Sequence, residues 1–498
     1  MSQVSEKTFF GHPRGLATLF FTEMWERFSY YGMRAMLILF MTTDAAQEGL
    51  GLTTETAAAV YGLYTAGVYL LTLPGGWLAD NIFGQRKAIY YGGIIIMLGH
   101  LVLAIPGSTP IFFSGLGLVA IGTGLLKPNI STIVGDLYPE GGARRDAGFS
   151  TFYMGINLGA FLGQLIVPIV AENVSWHLGF GLAAIGMFAG LVQYKMTEGT
   201  LGELGIVAKA KEASKLSDSD SSNSMLGLGF AALLIGILGL LQYMSIINMT
   251  NATGIAQGVG VVIVLVTLFY FIYIIIAGGL TPDEKKKVAI IFLLFVGAAV
   301  FWSGFEQAGS SLNLFARDYT DRGLFGFTIP AGSLQSVNSM FIIICAPLMG
   351  ALWVKLAAKN MNPNTPLKFA FGLIMLGLGF LVMVFAARIA AGGEKAGMFF
   401  LVLTYFLHTI GELTLSPIGM SATTKLSPKR YVGQMMGIWF VGAALGNLIA
   451  GLFAGNFDPE NVQQMPSLFM SVVTVSVGAG IIFLALSPFA KKWMGDIK

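Results

Sequence analysis

Fourteen stretches of this chain are long, mostly apolar and separated by short polar turns. They fall at about 15–43, 56–79, 88–105, 110–135, 149–171, 176–194, 225–249, 254–280, 288–316, 330–354, 369–387, 397–424, 432–455 and 463–490. A helix needs roughly 20 mostly apolar residues to cross a bilayer. Lipid supplies no water to backbone N–H and C=O groups, so each stretch must satisfy its own as a helix. The strict alternation of an outer-membrane strand is not present. Composition agrees: 55% of the 498 residues are hydrophobic and 11% are charged, against roughly a quarter charged in soluble domains. A soluble enzyme, a nucleic-acid binder and a disulfide-stapled secreted domain are all disfavoured. The single Cys345 lies in an apolar run and reads as a small buried residue.

Orientation follows from the bases. Of 29 Lys and Arg, 22 fall on one set of alternate loops and the two ends. The other side holds four, Arg317, Arg322, Arg388 and Lys395. Three more, Arg27, Arg34 and Lys127, lie inside spans. By the positive-inside rule this predicts an even helix count with both termini cytoplasmic. The polar start, Ser2 to Arg14, leads into a helix carrying four charges, a pattern unlike a cleavable signal peptide.

A polar, Ser-rich linker over about 197–224 interrupts the rhythm, and two charge-free helices and a second charged turn (282–287) follow it. The chain thus divides into a six-helix bundle (1–196), a linker with two extra helices (197–286) and a second six-helix bundle (287–498). Faint echoes support a duplication: Pro139 with Arg144, Arg145 and Gly159 resembles Pro428 with Lys429, Arg430 and Gly446. Transporters are commonly built from such repeats. The loop Gly75-Gly76-Trp77-Leu78-Ala79-Asp80 with Phe83-Gly84-Gln85-Arg86-Lys87 resembles the signature of the major facilitator superfamily. Its residues suit helix packing and gating rather than substrate chemistry, and Asp80 is expected to pair with Arg86.

Seven charged residues lie within the spans: Glu23, Glu26, Arg27, Arg34, Lys127, Glu306 and Glu412. Each costs about 2.5–3.5 kcal/mol at a helix centre on insertion scales, and such residues usually face a cavity or pathway. On the first helix Glu23, Glu26, Arg27, Tyr30, Tyr31 and Arg34 share one face of a 3.6-residue period. Two carboxylates one turn apart repel, and one cation relieves only part of that, which suits a proton carrier. Similar stripes recur: Tyr405, His408, Glu412 and Ser416; Trp302, Glu306 and Asn313 on a helix read as continuous; and Tyr153, Asn157 and Gln164. Four acids against three bases leave the set one negative charge in excess. One proton neutralises it, and a zwitterion adds nothing net while offering each half a counter-ion. The set reads as a proton-coupled site for a zwitterionic solute.

At these residues the chain resembles the proton-dependent oligopeptide transporter family, in its bacterial fourteen-helix branch. The first helix reads Glu23-Met24-Trp25-Glu26-Arg27-Phe28-Ser29-Tyr30-Tyr31-Gly32, and the fifth Phe152-Tyr153-Met154-Gly155-Ile156-Asn157-Leu158-Gly159-Ala160. The fourth carries Gly122-Thr123-Gly124-Leu125-Leu126-Lys127-Pro128-Asn129; a later helix carries Phe301-Trp302 and Phe305-Glu306-Gln307. The resemblance implies an all-α major facilitator fold of two six-helix bundles plus two extra helices. It implies a proton-coupled symporter of di- and tripeptides in the bacterial inner membrane, working by alternating access. The proton gradient drives it, with no cofactor, no metal and no nucleic acid, and it is expected to act as a monomer in membrane lipid.

By the same resemblance, Arg34 and Lys127 would bind the peptide carboxylate and Glu412 the ammonium. Asn157 and Asn338 would hydrogen-bond the peptide backbone or amine, and Tyr30, Tyr69, Trp302 and Trp439 would line side-chain pockets, with Ser416 beside Glu412. Glu306 would be the principal proton site and pair with Arg34 as an outer gate, Lys127 with Glu412 as an inner one. Glu23, Glu26 and Arg27 would form the coupling triad with Lys127. The animal members' second-helix His has no counterpart here, where the stretch reads Tyr61-Gly62-Leu63-Tyr64; His100 and His408 are expected to be polar packing. Transport of a small anion such as nitrate is a second reading, against which a fixed Glu412 carboxylate argues. A membrane-embedded enzyme is a third, and no HExxH or GxSxG with helical support backs it.

Overall fold

The computed structural model describes residues 8–140, 142–206 and 233–495. Lys7, Lys209, Lys211, Lys215 and Lys498, the linker from 207 onward and residues 225–232 of the seventh expected span lie outside them. The helices are α1 (Arg14–Thr42), α2 (Thr54–Leu70), α3 (Thr72–Leu78), α4 (Gln85–Leu103), α5 (Thr109–Asp136), α6 (Gly142–Asn173), α7 (Trp176–Thr197) and α8 (Leu233–Tyr243). They continue as α9 (Ala252–Ala277), α10 (Pro282–Phe305), α11 (Ser311–Tyr319), α12 (Ser336–Ala358), α13 (Thr365–Ala391), α14 (Phe399–Leu426), α15 (Val432–Ala454) and α16 (Met465–Met494).

Twelve described helical stretches are long and apolar enough to cross a membrane, α2 with α3 and α10 with α11 each making up one of them. At 29 residues α1 is also long enough, but its five charges, Arg14 among them, lower its hydropathy. With α8, every one of the fourteen stretches has a helix. Helix starts follow local chemistry: Thr281 and Glu284 form a reciprocal capping box at α10, and Asn251 and Asn364 cap α9 and α13.

The chain forms two compact units. The first comprises Met1–Gly51, Gly67–Ala213 and Gly323–Ile343. Within it α1 packs on α6 and α7, and α4 on α5. Close approach rests on glycine. Gly155, Gly159 and Gly163 form a stripe of every fourth residue on α6, facing Phe20, Met24 and Phe28 of α1. A Cβ on Gly159 would sit 2.1 Å from the Met24 carbonyl oxygen, and one on Gly163 2.3 Å from that of Phe28. Small residues at this spacing let membrane helices touch backbone to backbone.

The same unit holds the start of α12. Glu172, near the end of α6, accepts the backbone N–H groups of Ala331 and Gly332 at 2.9 Å each. Ser333 Oγ donates to the Leu165 carbonyl at 3.0 Å, Ser339 Oγ to Gln164 Oε1 at 3.1 Å, and Gln335 Nε2 to the Ala35 carbonyl at 3.3 Å.

The second unit comprises Leu52–Ala66, Ser214–Arg322 and Ile344–Lys498. Here α13 packs on α14 and α16, and α10 on α15. Gly62 of α2 meets Gly451 of α15: a Cβ on Gly451 would lie 2.6 Å from the Gly62 Cα.

One expectation is corrected at the turn between α3 and α4. Asp80 accepts from Gln85 Nε2 at 3.3 Å rather than pairing with Arg86. Arg86 donates instead to the carbonyls of Glu198 and Gly202, the latter at 2.9 Å. Both carbonyls lie just past the last turn of α7, near the negative end of its dipole, which favours a guanidinium there.

Gly159→Val overlaps the Met24 carbonyl and should cost at least about 1–3 kcal/mol, with loss of the monodisperse peak in size-exclusion chromatography. Gly117→Val, at an open position, should keep it.

Candidate functional site

The polar stripe of α1 is buried within the first unit. Glu23, Glu26 and Arg27 are 2%, 0% and 2% exposed, and Tyr30 and Arg34 are buried as well. The Arg27 Nε lies 3.2 Å from Glu23 Oε1 and also donates to Glu26 Oε2. The Arg27 guanidinium stands 5.0 Å from the Tyr30 ring centre and 5.7 Å from that of Tyr31, with Arg34 5.8 Å from Tyr31. Two carboxylates therefore share one guanidinium, and Glu23 Oε2, Glu26 Oε1 and Arg27 Nη2 keep no hydrogen-bond partner among the described groups. A proton on either carboxylate would turn a spare acceptor into a donor and cancel the excess charge. Lys127 of α5 is near enough to Glu23 to act on it electrostatically, and its Nζ lies 4.4 Å from the Tyr69 ring centre.

The backbone around Lys127 explains its placement. Pro128 has no N–H for the Gly124 carbonyl one turn earlier. At that carbonyl α3 comes closest, and a Cβ on Gly75 would lie 2.0 Å from the Gly124 oxygen. Asn129 Nδ2 donates to the Leu125 carbonyl at 2.6 Å and to that of Gly75 at 3.4 Å, tying α3 to α5. Asn157 on α6 donates to the Tyr153 carbonyl at 2.9 Å, and half-buried Asn338 lies near the start of α12. The first unit thus brings together Glu23, Glu26, Arg27, Tyr30 and Lys127 with Tyr69.

The second unit carries Trp302, Glu306, Glu412, Ser416 and Trp439. Glu306 is 4% exposed and is not in a continuous helix as expected. It opens a 3-10 turn, Glu306–Gly309, between α10 and α11, and Ser310 leaves helical geometry at φ −127° and ψ −98°. Gly304, Gly309, Ser310 and Ser311 are weak helix formers. Gly309 is also required sterically, because the Tyr61 hydroxyl fills the space of a side chain there. Broken helices leave backbone groups free beside ionisable residues, as at transporter ion sites. Gln307 bridges the break, donating to the Ser303 carbonyl at 3.1 Å and accepting from Ser311 Oγ at 2.9 Å.

Trp302 packs edge-on to Phe305 at 5.2 Å, and its buried Nε1 has no hydrogen-bond partner among the described groups. On α14, Tyr405, His408 and Glu412 are all buried and Ser416 is half-buried, one turn apart. His408 lies between Phe305 and Phe380, at 6.3 and 5.1 Å, over Gly379. Trp439 is 5% exposed, against Phe369 and the bare backbone of Gly419.

Sequence reasoning did not single out Glu172 or Gln335. Glu172 falls one residue beyond the end expected for its span, 149–171. Pro330-Ala331-Gly332, which marks the helix start that it caps, was the available signal.

A family model described as the POT family matches residues 86–465. The chain belongs to the POT family. It is 40% identical to the uncharacterized transporter YclF of Bacillus subtilis (strain 168), over 100% of this chain and 98% of the relative. It is also 40% identical to the peptide transporter YePEPT of Yersinia enterocolitica, covering 97% of this chain and 96% of the relative. Among solved structures, a peptide transporter POT bound to sulfate superposes with a TM-score of 0.87 at 40% identity, covering 98% and 97% of the two chains. A POT family transporter bound to 5-aminolevulinic acid gives 0.84 at 35% identity, covering 97% and 98%. The four quoted motifs of this POT-family chain therefore sit on an all-α transporter fold, and its membership marks it as a transporter rather than an enzyme.

In this family member the triad should behave as one unit. Arg27→Met leaves two buried carboxylates without their cation and should cost about 3–5 kcal/mol, read as a lowered thermal-unfolding midpoint. Adding Glu26→Gln removes one of those carboxylates and should recover part of the loss; additive losses would contradict the coupling.

Proposed function

We propose that this chain is a proton-coupled symporter that imports di- and tripeptides across the bacterial inner membrane by alternating access. The single observation that carries this reading is the charge set, three bases and four acids on otherwise apolar helices. Peptides differ in side chain but always offer an ammonium and a carboxylate. Fixed charges of both signs give affinity for every short peptide with little selectivity among them. The relatives named as a peptide transporter in Yersinia and as a di-/tripeptide transporter in Lactococcus lactis, the latter 37% identical over 99% of this chain, support the substrate class.

The roles follow the chemistry. Arg34 and Lys127 take the peptide carboxylate, and Glu412 takes the ammonium with Ser416 beside it. Asn157 and Asn338 hold the peptide amide, and Tyr30, Tyr69, Trp302 and Trp439 receive side chains. Glu306, set in a break of its helix, carries the coupled proton. Protonating it removes the counter-charge of Arg34, and the pairs Arg34 with Glu306 and Lys127 with Glu412 exchange as the cycle proceeds. Glu23, Glu26 and Arg27 couple that exchange to Lys127. Such a cycle needs only that proton and peptide stabilise one state more than the other. The repeats at 1–196 and 287–498 are the moving bundles, joined by 197–286. Both termini are cytoplasmic, and one chain suffices for transport.

Purified protein in liposomes should accumulate a labelled dipeptide when the outside is acidified; absence of pH-driven uptake of any di- or tripeptide rejects the reading. Glu306→Gln should keep peptide exchange between equal pools while losing accumulation. Unchanged accumulation in that variant removes Glu306 from the proton path.

A further inference from the structure

At the end of the second unit where α12 finishes and α13 begins, one lysine side chain is largely buried with no anion paired to it among the described residues. Lys368 is 9% exposed, although it lies in the first turn of α13. That is the positive end of the helix dipole, where a cation is unfavourable. Its Nζ stands 4.5 Å from the ring centre of Trp353 on α12. Lys425, exposed in the last turn of α14, is near enough to act on it electrostatically. Among the described residues neither lysine forms an ion pair. The capping residue Asn364 is four residues before Lys368, on the same helix face. Its Oδ1 is used twice, by the Leu367 N–H and by Ser487 Oγ, each at 3.0 Å, and its Nδ2 remains a donor.

Two ammonium groups, a helix N-terminus and an amide donor thus gather where α13 and α14 meet the edge of their spans. Burial of the Lys368 side chain draws its ammonium partly out of water with no counter-ion among the described residues, which is costly, and the Trp353 face offsets only part of that. An anion with several acceptor oxygens would satisfy the whole group. Basic pockets between transmembrane helices on the cytoplasmic side are suited to acidic lipid headgroups, and Trp is enriched at that depth. We propose that Lys368 and Lys425, with Trp353 and Asn364, form a binding site for a phosphate group, that of an anionic phospholipid or free inorganic phosphate.

Delipidated protein in neutral detergent tests this by its thermal-unfolding midpoint. Phosphatidylglycerol micelles should raise the midpoint and phosphatidylcholine micelles should not. Apparent affinity for phosphatidylglycerol should fall about tenfold or more in Lys368→Met, and Lys368→Arg should restore most of it. Exposed Lys491→Met, on α16, should leave it unchanged. A midpoint rise with inorganic phosphate alone, lost in Lys368→Met, assigns the site to the free ion; a rise with phosphatidylglycerol only assigns it to lipid. Equal effects of the two lipids without an inorganic phosphate effect, or responses untouched by Lys368→Met, overturn the proposal. If Lys368→Met is not recovered folded, Lys425→Gln gives the same readout, and an unchanged response there overturns it equally.

Discussion

An ionised group held in lipid must be compensated, and this constraint governs the structure. Arg27 compensates two carboxylates on its own helix, Glu23 and Glu26, and the three are almost wholly buried. One guanidinium cannot neutralise both. The triad is stable as a counter-ion cluster yet left one negative charge in excess, which a proton or a neighbouring cation such as Lys127 can cancel. A fixed ion pair would only hold helices together. An unbalanced set can exchange partners, which coupling requires.

Keeping such a set in register demands close helix contact, and glycine supplies it. The Gly155, Gly159 and Gly163 stripe fixes α6 against Phe20, Met24 and Phe28 of α1, directly beside the triad. Gly75 fits α3 against the carbonyl that Pro128 frees, just before Lys127. In the second unit glycine does the reverse: Gly309 and its serines break the helix at Glu306, so that an ionisable group stands at the break. Rigid contact on one helix and a deliberate break on another place charges where a continuous helix would not.

Hydropathy and helical period made the spans and the α1 stripe legible, because lipid leaves few other solutions for 20 apolar residues and buried charges must share a face. Of the stripe residues, Glu23, Glu26, Arg27, Tyr30 and Arg34 are buried and Tyr31 is half-buried. The break at Glu306 was not legible. A hydropathy window averages over Gly304 and Gly309, and their neighbours Phe301 and Phe315 keep it apolar. The partner of Arg86 was missed because it is a set of carbonyls at the end of α7, and backbone groups leave no mark in the side-chain sequence. Glu172 was missed for a related reason: its partners are the N–H groups of Ala331 and Gly332, some 160 residues away.

Charge movement tests the central claim most directly. Alanyl-alanine is a zwitterion, so its entry with at least one proton carries net positive charge inward. Proteoliposomes on a solid-supported membrane at equal pH on both faces should give a positive inward current when alanyl-alanine is added. A bound and exchanged dipeptide that moves no charge would contradict the account.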